Sequence, residues 1–405
     1  MESKYFIKTC ALIATEGSSL SDDFEISGGN PNITYYESVK SPSISVSIDF
    51  IDVDGVISRE GITGGEYLDL KIKVPDFDDF EITPDKHFMM LNSVKNVKTS
   101  SNKQIATLEF ISVEAIINET ARVSRRFTGN VSQIVKELMK DKKSIQTSKN
   151  LETDESFNKY SLVGNLKRPF DTIQWLCPKA ASTDKECGFL FYENLDGYFF
   201  KSIKGLLESD SSETYEKPEA PVDTDIKITE NNLDSSNDIG MNCRMGMYAN
   251  KTIYVDIENG KLETVDYKIS DLKLANPPKL PAGLEDAPTR LMLRILDAGA
   301  LQKGSKKEEV EKRSELAVYQ NKSYARTNLL FSQSLSISTP FNPDLRVGQM
   351  IDVVLPVKEG SDQSQTTGGG ENDISGKYLL SELKHSIANG KSNSELKLIR
   401  DVFTA

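Results

Sequence analysis

The sequence predicts an α+β chain, mainly β, in which one antiparallel β module is used twice and two smaller α/β segments are inserted. Three observations predict it. Near the C-terminus, Asn342-Pro-Asp-Leu-Arg-Val-Gly-Gln-Met-Ile-Asp-Val-Val-Leu355 and Gly376-Lys-Tyr-Leu-Leu-Ser-Glu-Leu-Lys384 spell a turn followed by strands at 350–355, 378–387 and 395–400. Near the N-terminus the same order recurs. Gly65 precedes a strand at 68–74 and a loop carrying Pro75 and Pro84, and strands at 88–97 and 105–112 flank the polar turn Lys98-Thr-Ser-Ser-Asn-Lys103. Laying Val94-Lys95-Asn-Val97 on Leu383-Lys384-His-Ser-Ile387 leaves nearly equal steps to Leu108-Glu-Phe110 and Leu396-Lys-Leu398. Such an internal repeat outranks most other signals for fold. Third, the pattern between the copies changes from period-2 alternation to helical spacing and aromatic runs.

The elements follow in order. Ile44-Ser-Val-Ser-Ile-Asp-Phe-Ile51 alternates as a half-buried strand should, and Asp54-Gly55 after it predicts a two-residue hairpin turn. Asp49, Asp52 and Asp54 lack the spacing, glycine and terminal glutamate of a calcium loop. After Asn118, the residues Val131, Ile134, Val135, Leu138 and Met139 mark one face of a helix, with Lys140, Lys142 and Lys143 at its C-terminal end. Phe170-Asp-Thr-Ile-Gln-Trp-Leu-Cys177 predicts a second helix, distorted at Pro178. An aromatic hairpin follows, from 187 to 203, with its turn closing in Asp196-Gly197. Residues 208–225 are acidic and Pro-bearing, which predicts an exposed linker. Short strands are expected within 226–247, and a clear hairpin turns at Asn259-Gly260 between 251–257 and 261–269. Helices are expected at 286–302 and 306–331, the second opening on a mixed-charge face. The strand at 335–338 and the turn Pro340-Phe-Asn-Pro-Asp-Leu-Arg-Val-Gly348 then lead into the second module, whose hairpin carries the Gly-rich insertion 360–372. That insertion lacks the following Lys-Ser/Thr of a phosphate loop.

Composition bounds the function. With 405 residues the chain is too long for one core. A hydrophobic share of 38% and a charged share of 27% belong to a folded, globular protein. Net charge −12 argues against coating of DNA, which needs clustered Lys and Arg, while an acidic wall lets phosphates pass without adhesion. Cys10, Cys177, Cys187 and Cys243 show no paired spacing, so neither a disulfide framework nor a zinc site is expected, and a reducing compartment is. No signal peptide and no membrane-spanning run is recognised.

Chemistry is sparse. His87 and His385 sit in or beside strands with no triad or zinc motif around them. Paired carboxylates such as Asp76, Asp78 and Asp79 are unavoidable among 61 acidic residues. The residues therefore nominate no catalytic, cofactor-binding or metal site, no cofactor and no enzyme. Two other readings are a tail-associated cell-wall hydrolase, which needs a compact catalytic domain, and a receptor- or carbohydrate-binding module using Trp175, Tyr192, Tyr198, Phe199 and Phe200 as a platform.

The order of these modules, closing with NPDLRVGQMIDVVLP, GKYLLSELKH and SELKLIRD, resembles the central baseplate hub protein of contractile-tailed bacteriophages (myoviruses) and, more loosely, the base of type VI secretion spike proteins. The resemblance covers most of the chain and is strongest at 170–203 and 314–401; the Gly-rich loop and the long segment 264–312 depart from it. It implies two similar tube-like antiparallel β-barrel domains and two smaller α/β insertion domains. The corresponding division is 1–117 for the first barrel, 118–215 for the helix and aromatic-hairpin domain, 216–247 with 328–405 for the second barrel, and 248–327 for an inserted hairpin and helical domain. It further implies a homotrimeric structural protein of the virion tail, assembled in the host bacterial cytoplasm and not inserted in a membrane. Its partners would be a central spike protein, the tail tube protein and baseplate wedge proteins, with DNA passing through the channel without specific binding during ejection.

Overall fold

A computed structural model describes the chain apart from residues 1–4, 30, 54, 76, 101–102, 218–227, 236–237, 258–259, 273–282, 285–286, 296–306, 356–373 and 402–405. Strands dominate. Fourteen of them form a single sheet, and among the described residues no sheet closes on itself.

Alternation builds the first half of that sheet. In Ser45–Asp52 the residues Val46, Ile48 and Phe50 are buried while Ser45, Ser47 and Asp49 face outward, the periodicity a pleated strand requires. Asn32–Ser38 and Lys103–Ser112 flank it, and the path continues through Met89–Ser100, Tyr67–Lys73, Phe6–Ile13 and Phe24–Glu25. Their inward residues form one core around Leu70, Ile72, Phe80, Leu108 and Phe110. Each such side chain contributes about 1.5–3 kcal/mol on burial. The second half runs Glu230–Ser235, Gln333–Pro340, Lys391–Arg400, Gly376–Ala388 and Met350–Val354, with its own core of Leu335, Ile337, Leu380, Leu383, Leu396 and Leu398.

The duplication is visible bond by bond. In the first copy Gly65 N donates to Leu91 O (3.0 Å) and Leu91 N to Glu66 O (2.8 Å). In the second, Gly348 N donates to Leu380 O (2.9 Å) and Leu380 N to Gln349 O (2.9 Å). Both glycines have positive φ, 106° and 90°, which side chains rarely adopt. A β-bulge follows at once in each copy, between Leu91 and Ser93 and between Leu380 and Glu382. Beyond it Val94 pairs with Leu108 as Leu383 pairs with Leu396, the alignment the sequence predicts.

The two halves are one sheet because Gly376–Ala388 pairs antiparallel with Asn32–Ser38, from Glu382 opposite Ser38 to Ile387 opposite Ile33.

The inserted elements pack around this sheet. The helix Val131–Lys140 is started by a capping box of Asn130 and Gln133, and Pro169–Leu176 opens on proline, which suits a first helical turn. Both lie on the hairpin Phe189–Asn194 and Gly197–Ser202 through Phe170, Phe191, Tyr198 and Phe200. The hairpin Ala249–Asp256 and Lys261–Lys268 lies against the long helix Lys307–Leu330, with Thr252 Oγ1 donating to Asn321 Oδ1 at 3.0 Å.

Four expectations are corrected. Asp54-Gly55 makes no hairpin: Ser45–Asp52 pairs with Asn32–Ser38 and Lys103–Ser112 instead, and Asp52 accepts from Val56 N and Ile57 N (both 3.0 Å), starting the short helix Val56–Glu60. Asp54 itself lies outside the described residues. The aromatic hairpin turns at Leu195 and Asp196, and Gly197 already pairs with Asn194. Within the predicted linker, Ser211–Glu216 is a strand parallel to Met350–Val354, anchored by buried Tyr215. Within the predicted helix 286–302, Arg290–Ile295 is a strand parallel to Ala249–Asp256, because Arg-Leu-Met-Leu-Arg-Ile alternates with period two. The Gly-rich insertion 360–372 falls outside the described residues.

Candidate assembly site

Strand periodicity turns Ile33, Tyr35 and Glu37 to the same buried side of Asn32–Ser38. A carboxylate there must be satisfied by the protein itself. Glu37 accepts from Tyr35 Oη (2.5 Å), from Leu195 N at the tip of the aromatic hairpin (2.8 Å) and from Val347 N beside the second-copy glycine (2.9 Å). One side chain thus ties together both halves of the sheet and the hairpin between them. Burial pushes its carboxyl up to about 7, against the pull of Arg346 and these hydrogen bonds. Arg346 is held in turn by Asp196 Oδ1 at 3.2 Å.

A second buried carboxylate fastens the first copy. Glu193 Oε2 accepts from Ile44 N (3.1 Å) and Ser112 Oγ (2.6 Å), while Oε1 accepts from Lys149 Nζ (2.7 Å). Lys149 also reaches Glu114 at 2.8 Å. Burial works against the Lys149 ammonium, but Glu193 and Glu114 outweigh it and hold its pKa above the usual lysine value. Such a group is worth little as a source of net stability and much as a fastener, because losing one member strands the others in a dry interior.

The aromatic hairpin wedges into the same place. Tyr192 stacks on Phe199 with ring centroids 5.4 Å apart, and its hydroxyl lies where a Cβ on Gly348 would be, at 2.1 Å. The backbone at Gly348 therefore needs glycine twice over, for its φ and for space. Tyr192, Tyr198 and Phe200 are buried, and Trp175 is half-buried between the ammonium groups of Lys167 and Lys179, 4.3 and 4.0 Å from its ring. They do not form an exposed row of rings. Of the two histidines, His385 is enclosed by Tyr35, Phe80 and Phe341, with Nδ1 2.8 Å from Ser394 Oγ, and burial lowers its pKa to about 3. His87 Nδ1 accepts from Thr83 N (3.0 Å), and burial lowers its pKa to about 4. Cys10, Cys177 and Cys187 are buried, and burial pushes each thiol up to about 12. Among the described residues no cluster of His, Cys, Asp or Glu could hold a metal ion, and no helix is long and apolar enough to cross a membrane.

The opposite face of the sheet is open and polar. Across the junction Tyr36 Oη donates to Glu382 (3.1 Å), and Lys384–Glu395 (3.1 Å) and Lys397–Glu382 (3.6 Å) form ion pairs around a depression of about 490 Å³. In the first half Lys95 pairs with Glu109 at 2.5 Å and Thr107 Oγ1 donates to Asp49 at 2.5 Å. Among the described residues, the carboxylates of Asp49, Glu109, Glu230, Asp234, Glu382 and Glu395 share this face with the ammonium groups of Lys95, Lys98, Lys384, Lys391 and Lys397. Elsewhere, Leu291, Leu293, Ile295 and Leu262 give the three-stranded sheet an exposed apolar face.

Sequence reasoning singled out the turn ending in Gly348 and the aromatic hairpin, and the structure brings them into contact. It missed Glu37, Lys149 and Glu193. The signal for Glu37 was present: a charged residue in the buried phase of an alternating strand.

No family model and no curated protein matches the chain. Solved structures do. A tail protein from Neisseria meningitidis MC58 superposes with TM-score 0.52 and 10% identity, over 100% of this chain and 98% of the other. The 43 kDa tail protein of prophage MuSo2 from Shewanella oneidensis gives TM-score 0.50 and 8% identity, over 100% and 99%. The chain shares the fold of these two tail proteins over its whole length.

Proposed function

We propose that the chain is a structural protein of a phage tail, the central hub of a contractile-tail baseplate, acting as a homotrimer. The observation that carries this is the duplicated module, its two copies joined side by side in one sheet. Each half is a tube-like barrel domain in this reading, with the boundaries given above. Three chains in a cyclic arrangement then present six similar modules around an axis, which matches a threefold spike on one side to a sixfold tail tube on the other without a new fold. The polar open sheet face lines the channel, and the chain's net charge of −12 disfavours adhesion of phosphates, so DNA slides past during ejection. Spike, tube and wedge proteins are the partners, in a virion assembled in the host cytoplasm. The whole-length likeness to two tail proteins supports a tail role. Burial of Tyr192, Tyr198 and Phe200 weighs against the carbohydrate platform.

Sedimentation and particle imaging of the purified chain test this. The expected particle has three times the 45.0 kDa chain mass and a sixfold-looking ring. A monomer that degrades peptidoglycan overturns it.

A further inference from the structure

Alternation sets the two sides of the small three-stranded sheet apart. Arg290–Ile295 runs parallel to Ala249–Asp256, with Arg290 beside Asn250, Met292 beside Thr252 and Arg294 beside Tyr254. That side faces the long helix: Tyr254 Oη donates to Ala317 O at 3.3 Å, and the Arg294 guanidinium lies 3.8 Å from the centre of the Tyr324 ring. The other phase points away from the helix. Leu291, Leu293 and Ile295 are 64–72% exposed, Ile253 and Val255 lie beside the last two, and Leu262, opposite Val255, is 71% exposed. Single exposed leucines need no explanation, but a contiguous aliphatic surface on the order of a few hundred Å² marks an interaction site.

The same strand is an open edge. Among the described residues Arg290–Ile295 pairs only with Ala249–Asp256, so no strand lies on its outer side. Neither of its arginines has a carboxylate within ion-pair reach among the described residues. Arg290 Nη1 donates to Met245 O at 3.2 Å, and Arg294 rests on the Tyr324 ring. A strand added here would set its side chains alternately over Leu291, Leu293 and Ile295 on one side and beside Arg290 and Arg294 on the other. Two copies of this edge in full antiparallel overlap would bring Arg290 of one opposite Arg294 of the other, like charges that oppose the pairing. The charge therefore selects against a second copy and in favour of an acidic strand.

We propose that the outer edge of Arg290–Ile295 and the aliphatic face beside it receive an extended segment of a partner protein in which apolar and acidic residues alternate, added as a fourth strand. Main-chain pairing gives the affinity, and the alternation gives the choice of partner. The contact is independent of the hub reading, since the small sheet shares no strand with the large one.

Fluorescence anisotropy of a short labelled peptide alternating valine and glutamate, titrated with the full chain, tests it. The peptide binds, and residues 290–295 gain protection from hydrogen exchange when it is added. A valine–lysine peptide binds about tenfold more weakly, and the gap narrows in high salt. N-methylation of alternate amides on the pairing side of the valine–glutamate peptide abolishes binding. Leu291→Thr with Leu293→Thr keeps strand formers at exposed positions and weakens binding about tenfold. Arg290→Glu with Arg294→Glu reverses the preference, so that the valine–lysine peptide binds better. Equal binding of the two peptides, binding that the threonine variant leaves unchanged, or no binding up to about 1 mM peptide overturns the proposal. Full protection of residues 290–295 in the chain without peptide also overturns it, because the edge is then covered by the chain itself or by another copy.

Discussion

The two copies of the β module have the same strand order, the same glycine corner and the same bulge, yet they live in different surroundings. The second copy is enclosed. Its 376–388 strand is paired on both sides, Gly348 is stopped by Tyr192, and Gln349 Oε1 accepts from Arg346 N at 3.0 Å. The first copy is open. Its 93–98 edge has no outer partner among the described residues, Gly65 faces empty space, and Glu66, at the position of Gln349, is buried with neither carboxylate oxygen hydrogen-bonded. Topology can be copied within a chain while the use of each surface diverges, and the divergence lies in a few polar and glycine positions.

The largest expected effect breaks the first copy's fastening. Lys149→Met leaves Glu193 and Glu114 buried without their cation and costs about 3–5 kcal/mol, read as the shift in a urea unfolding curve. Next come the glycine corners. Gly65→Ala meets only backbone strain, about 1–3 kcal/mol, whereas Gly348→Ala adds a collision with Tyr192 and costs about 2 kcal/mol more. Equal losses at the two glycines would show that Tyr192 yields freely.

Glu37 sharpens the comparison through pH. Its folded carboxyl titrates near 7 against an ordinary 4.5, so the folded state holds the proton more tightly. Stability contributed by the protonated form is complete below pH about 4.5 and falls as pH rises to about 7, by up to about 3 kcal/mol. Glu37→Gln removes that slope, and unfolding midpoints measured from pH 4.5 to 7.5 for both proteins check it. The smallest effect is a gain. Glu66→Gln, which gives the first copy the second copy's residue, replaces an unsatisfied buried carboxylate and stabilises by about 1 kcal/mol.

Much of this was legible in the sequence. The repeat, the helix at 131–140, the aromatic hairpin and the hairpin at 249–268 each carried a complete local signal of period, cap or turn. The failures share a cause: the deciding partner is distant in sequence. Ser211–Glu216 looks like a linker until Met350–Val354 lies beside it, and Arg290–Ile295 has helix-compatible composition until Ala249–Asp256 offers an edge. The buried fasteners were hidden for the same reason, since Glu193 reaches Lys149 across 44 positions and Glu37 reaches Val347 across 310. Joining of the two modules into one sheet was likewise invisible, because nothing local in 33–38 or 382–387 announces that they meet.

Trp175 is the only tryptophan in the chain and sits half-buried on the Pro169–Leu176 helix, away from both sheet halves, with two lysines against its ring. Its ultraviolet emission therefore reports a single place, the seat of that helix on the aromatic hairpin. Circular dichroism in the amide region averages over the helices and strands of the whole fold. Recording both signals along one denaturation tells whether the wedge lets go before the rest of the fold does, with no label attached to the molecule.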